Sequence, residues 1–383
     1  MPRVLRILNR FNLGGPSFNA AYLTKYLSPE FETLLIGGEK DEHEDSSLFI
    51  FEDMGIPATV IPEMRREINP ILDRQVYQRI KQIITKFKPD IVHTHAAKAG
   101  ALGRLAAFNM KTPVIVHTFH GHVLHSYFGK TKTMIFRSVE RKLAKKTDAI
   151  VAISKKQKSE LVDEFDICKG NKVYIIPLGF DLTKFDLFQK ERRETFRNKY
   201  NIEDDEIAVG IVGRLVPVKN HELFLKGFAI VSARTTQKMK AVVIGDGKMR
   251  THLEQLVDKL QIRNKVVFTS WIREIEVAYP GLDIVALTSF NEGTPVSLIE
   301  AQAAGKPVIS SRVGGVEDVI LEGKSGLLFE SGNMDGFADA LMKMLEIRYE
   351  MEQSGREFVK ANFHYTELVK NTCDLYNLLL KNT

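Results

Sequence analysis

Glu292 and Glu300 stand eight positions apart in the run Ser289-Phe-Asn-Glu-Gly-Thr-Pro-Val-Ser-Leu-Ile-Glu-Ala-Gln-Ala-Ala-Gly305-Lys-Pro307-Val308. Residues 283–288 read as a buried strand. Gly293, Thr294 and Pro295 read as a loop that ends in an N-cap with Pro at the first helical position, and Gly305 and Pro307 as the stop of a helix over 296–304. The start of such a helix offers unpaired N–H groups and the positive end of its dipole, which suits a phosphate held over Gly293, Thr294, Pro295 and Val296. A carboxylate accepts hydrogen bonds from neighbouring hydroxyls, and sugars and riboses both offer these in pairs. Glu292 falls in the loop and Glu300 more than a turn inside the helix, so the two acids need not share a target. Two acids eight apart are common on solvated faces. The signal is their embedding in Ser-x-x-Glu-Gly-x-Pro and Glu-Ala-x-Ala-x-Gly-x-Pro-Val.

Three further segments carry residue types that fit a phosphorylated sugar ligand. Gly213 and Arg214, followed by Lys219, come directly after a strand. The glycine permits close backbone approach, and two cations within six residues can neutralise a diphosphate as its leaving charge develops. Gly14 and Gly15 lie between the first strand and a helix expected to begin near Phe18, where backbone and helix amides can meet an anion. His117-Thr-Phe-His120-Gly-His122 closes the fifth strand. Alternation along an extended segment separates these rings onto different faces, and no carboxylate accompanies them at ligand spacing, so a metal site is not indicated. Gly245-Asp-Gly247 follows another strand but lacks the third glycine of a dinucleotide fingerprint.

On these residues the chain resembles the retaining glycosyltransferases of the GT-B fold, specifically glycosyltransferase family 4, over nearly its whole length. The resemblance implies that Glu292 lies by the transferred sugar and Glu300 holds the nucleotide ribose. Arg214 and Lys219 match the family's Gly-Arg-x4-Lys element and would bind the donor diphosphate. Gly14 and Gly15 match its N-terminal glycine loop, although Asn19 stands where the Gly-Gly-Pro subgroup often has His. Thr118-Phe-His120-Gly121 matches the His element beside the sugar, leaving His117 and His122 unassigned and His125 as a candidate for acceptor contact. Gly245 and Gly247 fit the Gly-x-Gly loop near the nucleotide. Residues 266–270 correspond to a segment that lines the base and usually ends in Gly, where this chain has Ser270.

The elements that must position these residues follow a βαβ rhythm, the signature of parallel sheets. In the first half, strands are expected at 4–8, 34–36, 59–61, 91–94, 114–118, 149–153 and 173–176, with helices at 18–27, 72–87 and 136–146. The polar stretch 189–206 reads as a partly helical inter-domain region. Strands resume at 207–212, 241–244, 266–269, 284–288 and 308–310. The expected fold is two Rossmann-like, doubly wound domains facing a cleft, with ligands beyond the carboxyl ends of the strands. A final helix over 367–380, with Leu368, Leu375, Leu378 and Leu379 on its apolar side, is expected to cross back as it does in the GT-B fold. This gives domains of 1–180 plus 365–383, and 181–364.

A chain of 383 residues suits two domains. Its two cysteines, Cys168 and Cys373, belong to no metal-ligand cluster and indicate no disulfide framework. No stretch approaches the ~20 uninterrupted apolar residues of a membrane span, and no signal-peptide pattern opens the sequence, so a cytoplasmic location is expected. The first 180 residues hold 27 of the 54 basic side chains but only 19 of the 48 acidic ones, a net of +8 within a total of +6. Much of the excess lies at 130–146 and 155–158, where it could meet an anionic membrane or a phosphate-linked acceptor as well as plain solvent. No aromatic platform or binding motif accompanies the charge, which argues against nucleic acid.

The leading expectation is transfer of a sugar, by default from a UDP-sugar, to a glycan or lipid-linked acceptor of the cell envelope. In the family the leaving phosphate is thought to assist the acceptor on the same face, so neither a cofactor nor a metal is expected beyond the nucleotide-sugar co-substrate. A non-hydrolysing UDP-N-acetylglucosamine 2-epimerase shares the two-domain architecture, and a non-catalytic sugar-nucleotide-binding subunit is a third reading.

Overall fold

The computed structural model describes the chain except Leu13, Glu42, His43, Asp45, Arg66 and residues 121–129, and except the side chains of residues 130–133 and 135. It divides into two compact units, one of Met1–Phe180 with Phe363–Thr383 and one of Asp181–Asn362. The first unit is a seven-stranded sheet built from β1 (Arg3–Leu8), β2 (Glu32–Gly38), β3 (Ala58–Ile61), β4 (Ile91–His95), β5 (Val114–Phe119), β6 (Ala149–Ala152) and β7 (Val173–Ile175). The second holds β8 (Ile207–Val212), β9 (Met239–Ile244), β10 (Val266–Ser270), β11 (Ile284–Leu287), β12 (Val308–Ser311) and β13 (Gly326–Phe329). The sheet orders are β3-β2-β1-β4-β5-β6-β7 and β10-β9-β8-β11-β12-β13. Every pairing is parallel.

Strands covered by helices on both faces read as apolar runs, and β4, β5, β6 and β11 are buried at every position. Each sheet reverses its strand order once, between β1 and β4 and between β8 and β11. Connections leave in opposite directions at such a point, so the loops at the carboxyl ends of the two strands diverge and open a crevice. Gly14 and Gly15 follow β1, and Arg214 and Glu292 follow β8 and β11.

The twelve expected strands are present with small shifts at their ends, and β13 is an addition. Its four residues lie at the sheet edge beside β12, which leaves little periodicity to read. The first helix begins at Gly15, ahead of the expected Phe18, because Pro16 is tolerated in a first helical turn. The Pro70–Phe87 helix likewise starts at a proline, with the Asn69 side chain accepting from the amides of Ile71 and Leu72.

Two expectations need correction. The stretch 189–206 is partly helical as expected but lies within the second unit and not between domains. It forms the Gln189–Lys199 helix inside the second unit, where the buried Arg197 donates to Asp283 Oδ2 at 3.2 Å and to the carbonyls of Gly281, Glu203 and Glu206. Arg193 pairs with Asp283 Oδ1 at 3.0 Å, and Asp283 also accepts the amide of Ala208. This network ties the entry of β8 to that of β11. The closing helix, Tyr365–Leu380, belongs to the first unit, but its buried face is Leu368, Thr372, Leu375 and Tyr376, while Leu378 is 47% exposed. Tyr365 stacks on Tyr22 and Tyr26, and a Cβ at Gly179 would lie 2.7 Å from Leu368 Cβ, so this helix packs tightly on the unit.

Replacing Asp283 by Ala leaves Arg197 charged, buried and without its counter-ion. The expected cost is on the order of 3 kcal/mol of stability. Urea unfolding followed by the fluorescence of Trp271, the single tryptophan and part of the same unit, should show the midpoint move well below that of the native chain. An unchanged midpoint would mean the network is not what joins these strands.

Candidate active site

In the second unit the loop after β8 carries Gly213 and Arg214, then a 3-10 turn, Pro217–Lys219, that leads into the His221–Arg234 helix. The loop after β11 carries Glu292, Gly293 and Thr294 and reaches Pro295, which is itself the N-cap of the Val296–Ala303 helix and not its first residue. Lys219 and Glu292, far apart in sequence, meet here. Lys219 Nζ lies 2.6 Å from Glu292 Oε1, and Ser289 Oγ donates to the same oxygen at 2.6 Å. Glu292 is 9% exposed, Lys219 is half-buried, and Arg214 is exposed with no ion-pair partner among the described residues. Thr288 Oγ1 donates to the carbonyls of Lys219 and Asn220, and the amide of Phe290 donates to the Val218 carbonyl, so the two loops are stitched side by side.

Glu300 sits apart from this pair. Its Oε2 accepts from Tyr279 Oη at 3.0 Å, and that hydroxyl also contacts the Ser297 carbonyl. Burial pushes the Glu300 carboxyl up to about 7; Lys184 and the Tyr279 hydroxyl pull it back, and Glu276 adds to the rise. Lys184 is itself paired with Glu276 at 3.1 Å.

The glycines separate into those that the protein's own packing requires and those that it does not. A Cβ on Gly245 would fall 2.0 Å from the Gly213 carbonyl oxygen, and one on Gly247 would fall 2.6 Å from that of Leu215. These two residues let the β8 and β9 loops interlock, with Gly213 donating to Ile244 and Leu215 to Asp246. A Cβ at Gly293 would meet nothing within 4 Å. Ser270, where the family pattern usually has Gly, takes a left-handed φ of 60°, and its hydroxyl accepts from Arg250 at 3.2 Å. A non-glycine residue here bears the strain that glycine would avoid.

Two residues of this site, Gly314 and Tyr279, were missed in the sequence. Gly314, at φ 53°, lies so close to the Glu292 backbone that a Cβ would stand 1.7 Å from the Glu292 carbonyl oxygen, and the next amide, Gly315, donates to the Gly293 carbonyl. The adjacent Gly314-Gly315 after β12 was the available signal.

In the first unit Gly14 caps the Gly15–Tyr26 helix with an extended backbone, and Ser17 Oγ donates to the Asn12 carbonyl. Asn19 is fully buried. Its amide donates to the Gly15 carbonyl at 3.0 Å and to that of Gly179 at 3.4 Å, while its Oδ1 accepts the Gly179 amide at 3.1 Å. It thereby fastens the glycine loop to the segment after β7.

Alternation sorts the histidines. His117 points to one face, hydrogen-bonded to Thr94 Oγ1 at 2.8 Å and packed on Gly100, where it is structural. His93 and His95 of β4, with Thr118 and His120 at the end of β5, share the other face with Arg6 of β1. His120 Nε2 lies 2.8 Å from His95 Nδ1, and burial lowers the His120 pKa to about 4. Tyr376 of the closing helix reaches His93 Nδ1 at 2.6 Å. Sequence reading found His120 alone of this group. The matching His93-Thr-His95 and Thr118-Phe-His120 at two strand ends were the signal. Gly121, His122 and His125 lie outside the described residues.

Comparison with known proteins gives this arrangement its family. Residues 14–184 match the family described as Glycosyltransferase Family 4, and residues 192–361 match Glycosyl transferases group 1. The chain is 27% identical over 338 residues to UDP-Gal:alpha-D-GlcNAc-diphosphoundecaprenol alpha-1,3-galactosyltransferase of Escherichia coli, covering 87% of each. It is 26% identical over 329 residues to the capsular polysaccharide biosynthesis glycosyltransferase CapM of Staphylococcus aureus, covering 85% of this chain and 86% of CapM. Its fold superposes on HepE of Anabaena, solved in complex with UDP, with a TM-score of 0.82 at 18% identity over 98% of this chain and 99% of that one. With both parallel sheets carrying their glycine loops at the strand-order reversal, and with the two halves of the chain matched in turn, this protein belongs to the GT-B glycosyltransferases of the family 4 type.

Proposed function

We propose that this glycosyltransferase moves a sugar from a UDP-sugar, with retention of anomeric configuration, to a lipid-diphosphate-linked acceptor in cell-envelope polysaccharide synthesis. The observation that carries the reading is the Lys219–Glu292 contact beside the start of the Val296–Ala303 helix, at the carboxyl ends of β8 and β11. Arg214 and Lys219 take the diphosphate, the N–H groups of Gly293, Thr294 and Val296 assist at the helix start, Glu292 and His120 orient the sugar, and Glu300 holds the ribose. The open space over Gly293 leaves its backbone accessible to such a ligand. Catalysis then rests on positioning and on charge stabilisation of the leaving group by protein cations. The relatives support the donor and acceptor classes: the Escherichia coli enzyme is named for a UDP-sugar and a diphosphoundecaprenol acceptor, and HepE binds UDP. The direct test is thermal protection across UDP-, GDP-, ADP- and TDP-sugars, followed by transfer to a lipid-diphosphate sugar. Selective protection by another base would displace the UDP assignment.

Arg214→Ala and Lys219→Ala should each lower turnover on the order of 10²-fold or more in a water-poor site. Because these side chains supply the positive charge, activity should persist in EDTA. Native turnover in both variants would remove the diphosphate assignment.

Ribose hydroxyls donate to a carboxylate, so binding favours ionised Glu300, whose free pKa is raised to about 7. UDP affinity should therefore rise with pH from about 6 to about 8 and level off above. In Glu300→Gln that rise should shrink to whatever the nucleotide phosphate contributes by itself, while Glu292→Gln should keep it and lose transfer instead. Calorimetric titration showing the same pH slope in the native chain and in Glu300→Gln would separate Glu300 from the nucleotide.

Among the described residues no helix is long and apolar enough to cross a membrane. The Lys130–Ala144 helix carries exposed Met134, Val139 and Lys142, with Lys145 exposed just beyond it, whereas Arg137 and Arg141 are engaged with the carbonyls of Phe165 and Asp166. This face fits an anionic leaflet on the cytoplasmic side, where a lipid-diphosphate acceptor is met in place. Lys142→Gln, Lys145→Gln and Lys146→Gln combined should weaken sedimentation with anionic vesicles by roughly 1 kcal/mol per charge, more at low salt than at high salt. A native chain that ignores such vesicles at low ionic strength would leave the helix as a solvated face.

A further inference from the structure

The buried cluster around Arg6 fixes the position of every exchangeable proton on its histidines. Arginine carries five N–H donors and no acceptor. Arg6 NH1 lies 3.3 Å from both His93 Nδ1 and His95 Nε2, so both contacts run from arginine to imidazole. A neutral imidazole has one N–H and one acceptor nitrogen. With Nε2 accepting, His95 holds its proton on Nδ1 and donates it to His120 Nε2 at 2.8 Å. His120 Nε2 then accepts, and the His120 proton sits on Nδ1, for which the described residues offer no acceptor.

The second branch closes in the same direction. Arg6 NH2 donates to Tyr376 Oη at 3.4 Å, Tyr376 donates to His93 Nδ1 at 2.6 Å, and His93 Nε2–H donates to Thr118 Oγ1 at 2.7 Å. Burial first, and neighbouring positive charge second, keep His93 and His95 neutral, as burial does for His120. The cavity beside the rings, lined in part by Asn19, His95, Thr118 and His120, is about 10 Å³. Arg6 is completely buried and pairs with no carboxylate among the described residues. A desolvated charge of that kind is costly, and here its donors are used to orient two histidines and a tyrosine.

We propose that Arg6 and His95 are positioning residues that set the tautomer of His120, so that its buried Nδ1–H, which has no acceptor among the described residues, is held as a neutral hydrogen-bond donor. Resting on the function proposed above, the recipient is a hydroxyl oxygen of the transferred sugar, and His120 orients that hydroxyl without taking up its proton. The relay begins at a guanidinium, which has donors and no acceptor, so its direction is set from that end.

The full chain labelled with 15N-histidine, examined by long-range 1H–15N correlation and assigned through His120→Ala, reads the tautomer directly. Expected is a neutral His120 with its proton on Nδ1. A proton on Nε2, or a mixture of tautomers, overturns the proposal from the native chain alone. In His95→Phe the donor to Nε2 is lost, so His120 should shift toward the Nε2–H form that free imidazole prefers, and transfer should fall about tenfold, the rate equivalent of one buried hydrogen bond. His95→Gln keeps an amide donor and should restore both. A His95→Phe chain that retains the single Nδ1–H form also overturns it. The reading of function fails separately: native transfer by His120→Ala, with the tautomer as stated, would leave the relay standing and take His120 away from the sugar.

Discussion

A parallel sheet delivers the carboxyl ends of all its strands to one edge, and where the strand order reverses, the loops from two neighbouring strands turn away from each other. In the second unit those strands are β8 and β11. Lys219 and Glu292, 73 positions apart in sequence, reach one place because the strands that carry their loops are hydrogen-bonded neighbours, in register from Ile284 against Val209 to Ala286 against Ile211. The base of this pair is anchored at its opposite end by Asp283, which accepts from Ala208 and binds Arg197 and Arg193. Strand pairing thus fixes the separation of the two loops, and the loops' own hydrogen bonds fix Lys219 against Glu292.

Charges in the two units are held in different ways. Lys219 and Glu292 neutralise each other, with Ser289 donating to the same carboxylate oxygen, so both side chains are already oriented. Arg214, in the loop after β8, is exposed and has no ion-pair partner among the described residues. Glu300 is poised differently. Burial pushes its carboxyl up to about 7, so its charge changes near neutral pH. In the first unit Arg6 has no counter-ion among the described residues, and its charge is spread over neutral acceptors on three side chains.

Backbone contacts set the remaining precision. Gly245, Gly247 and Gly314 stand where any side chain would strike the backbone of the neighbouring loop, so their absence of a Cβ shapes the site from behind. Gly293, with open space around its Cα, faces outward. The glycines therefore fall into two kinds, those that let loops interlock and one with open space around it, and spacing does not tell them apart.

The sequence by itself determined the parallel α/β architecture in two domains, because buried parallel strands must be written as short apolar runs and their helices must be closed by Gly and Pro. It also determined Arg214, Lys219, Glu292 and Glu300 as candidates, because each lies in a motif continuous along the chain. The polar run 189–206 misled, since a helix that buries Arg197 against carbonyls and a carboxylate looks in sequence like a solvated linker. β13 and the exposed Leu378 were lost to short length and to a helical period one step out of phase. Only the tertiary structure decided that Lys219 touches Glu292, that Gly314 presses on the Glu292 backbone, and that Arg6, His93, His95, Thr118, His120 and Tyr376 form one hydrogen-bonded group. Those contacts join β1, β4, β5 and the closing helix, residues up to 370 positions apart. Their physical cause is strand order and register, which local spacing does not encode.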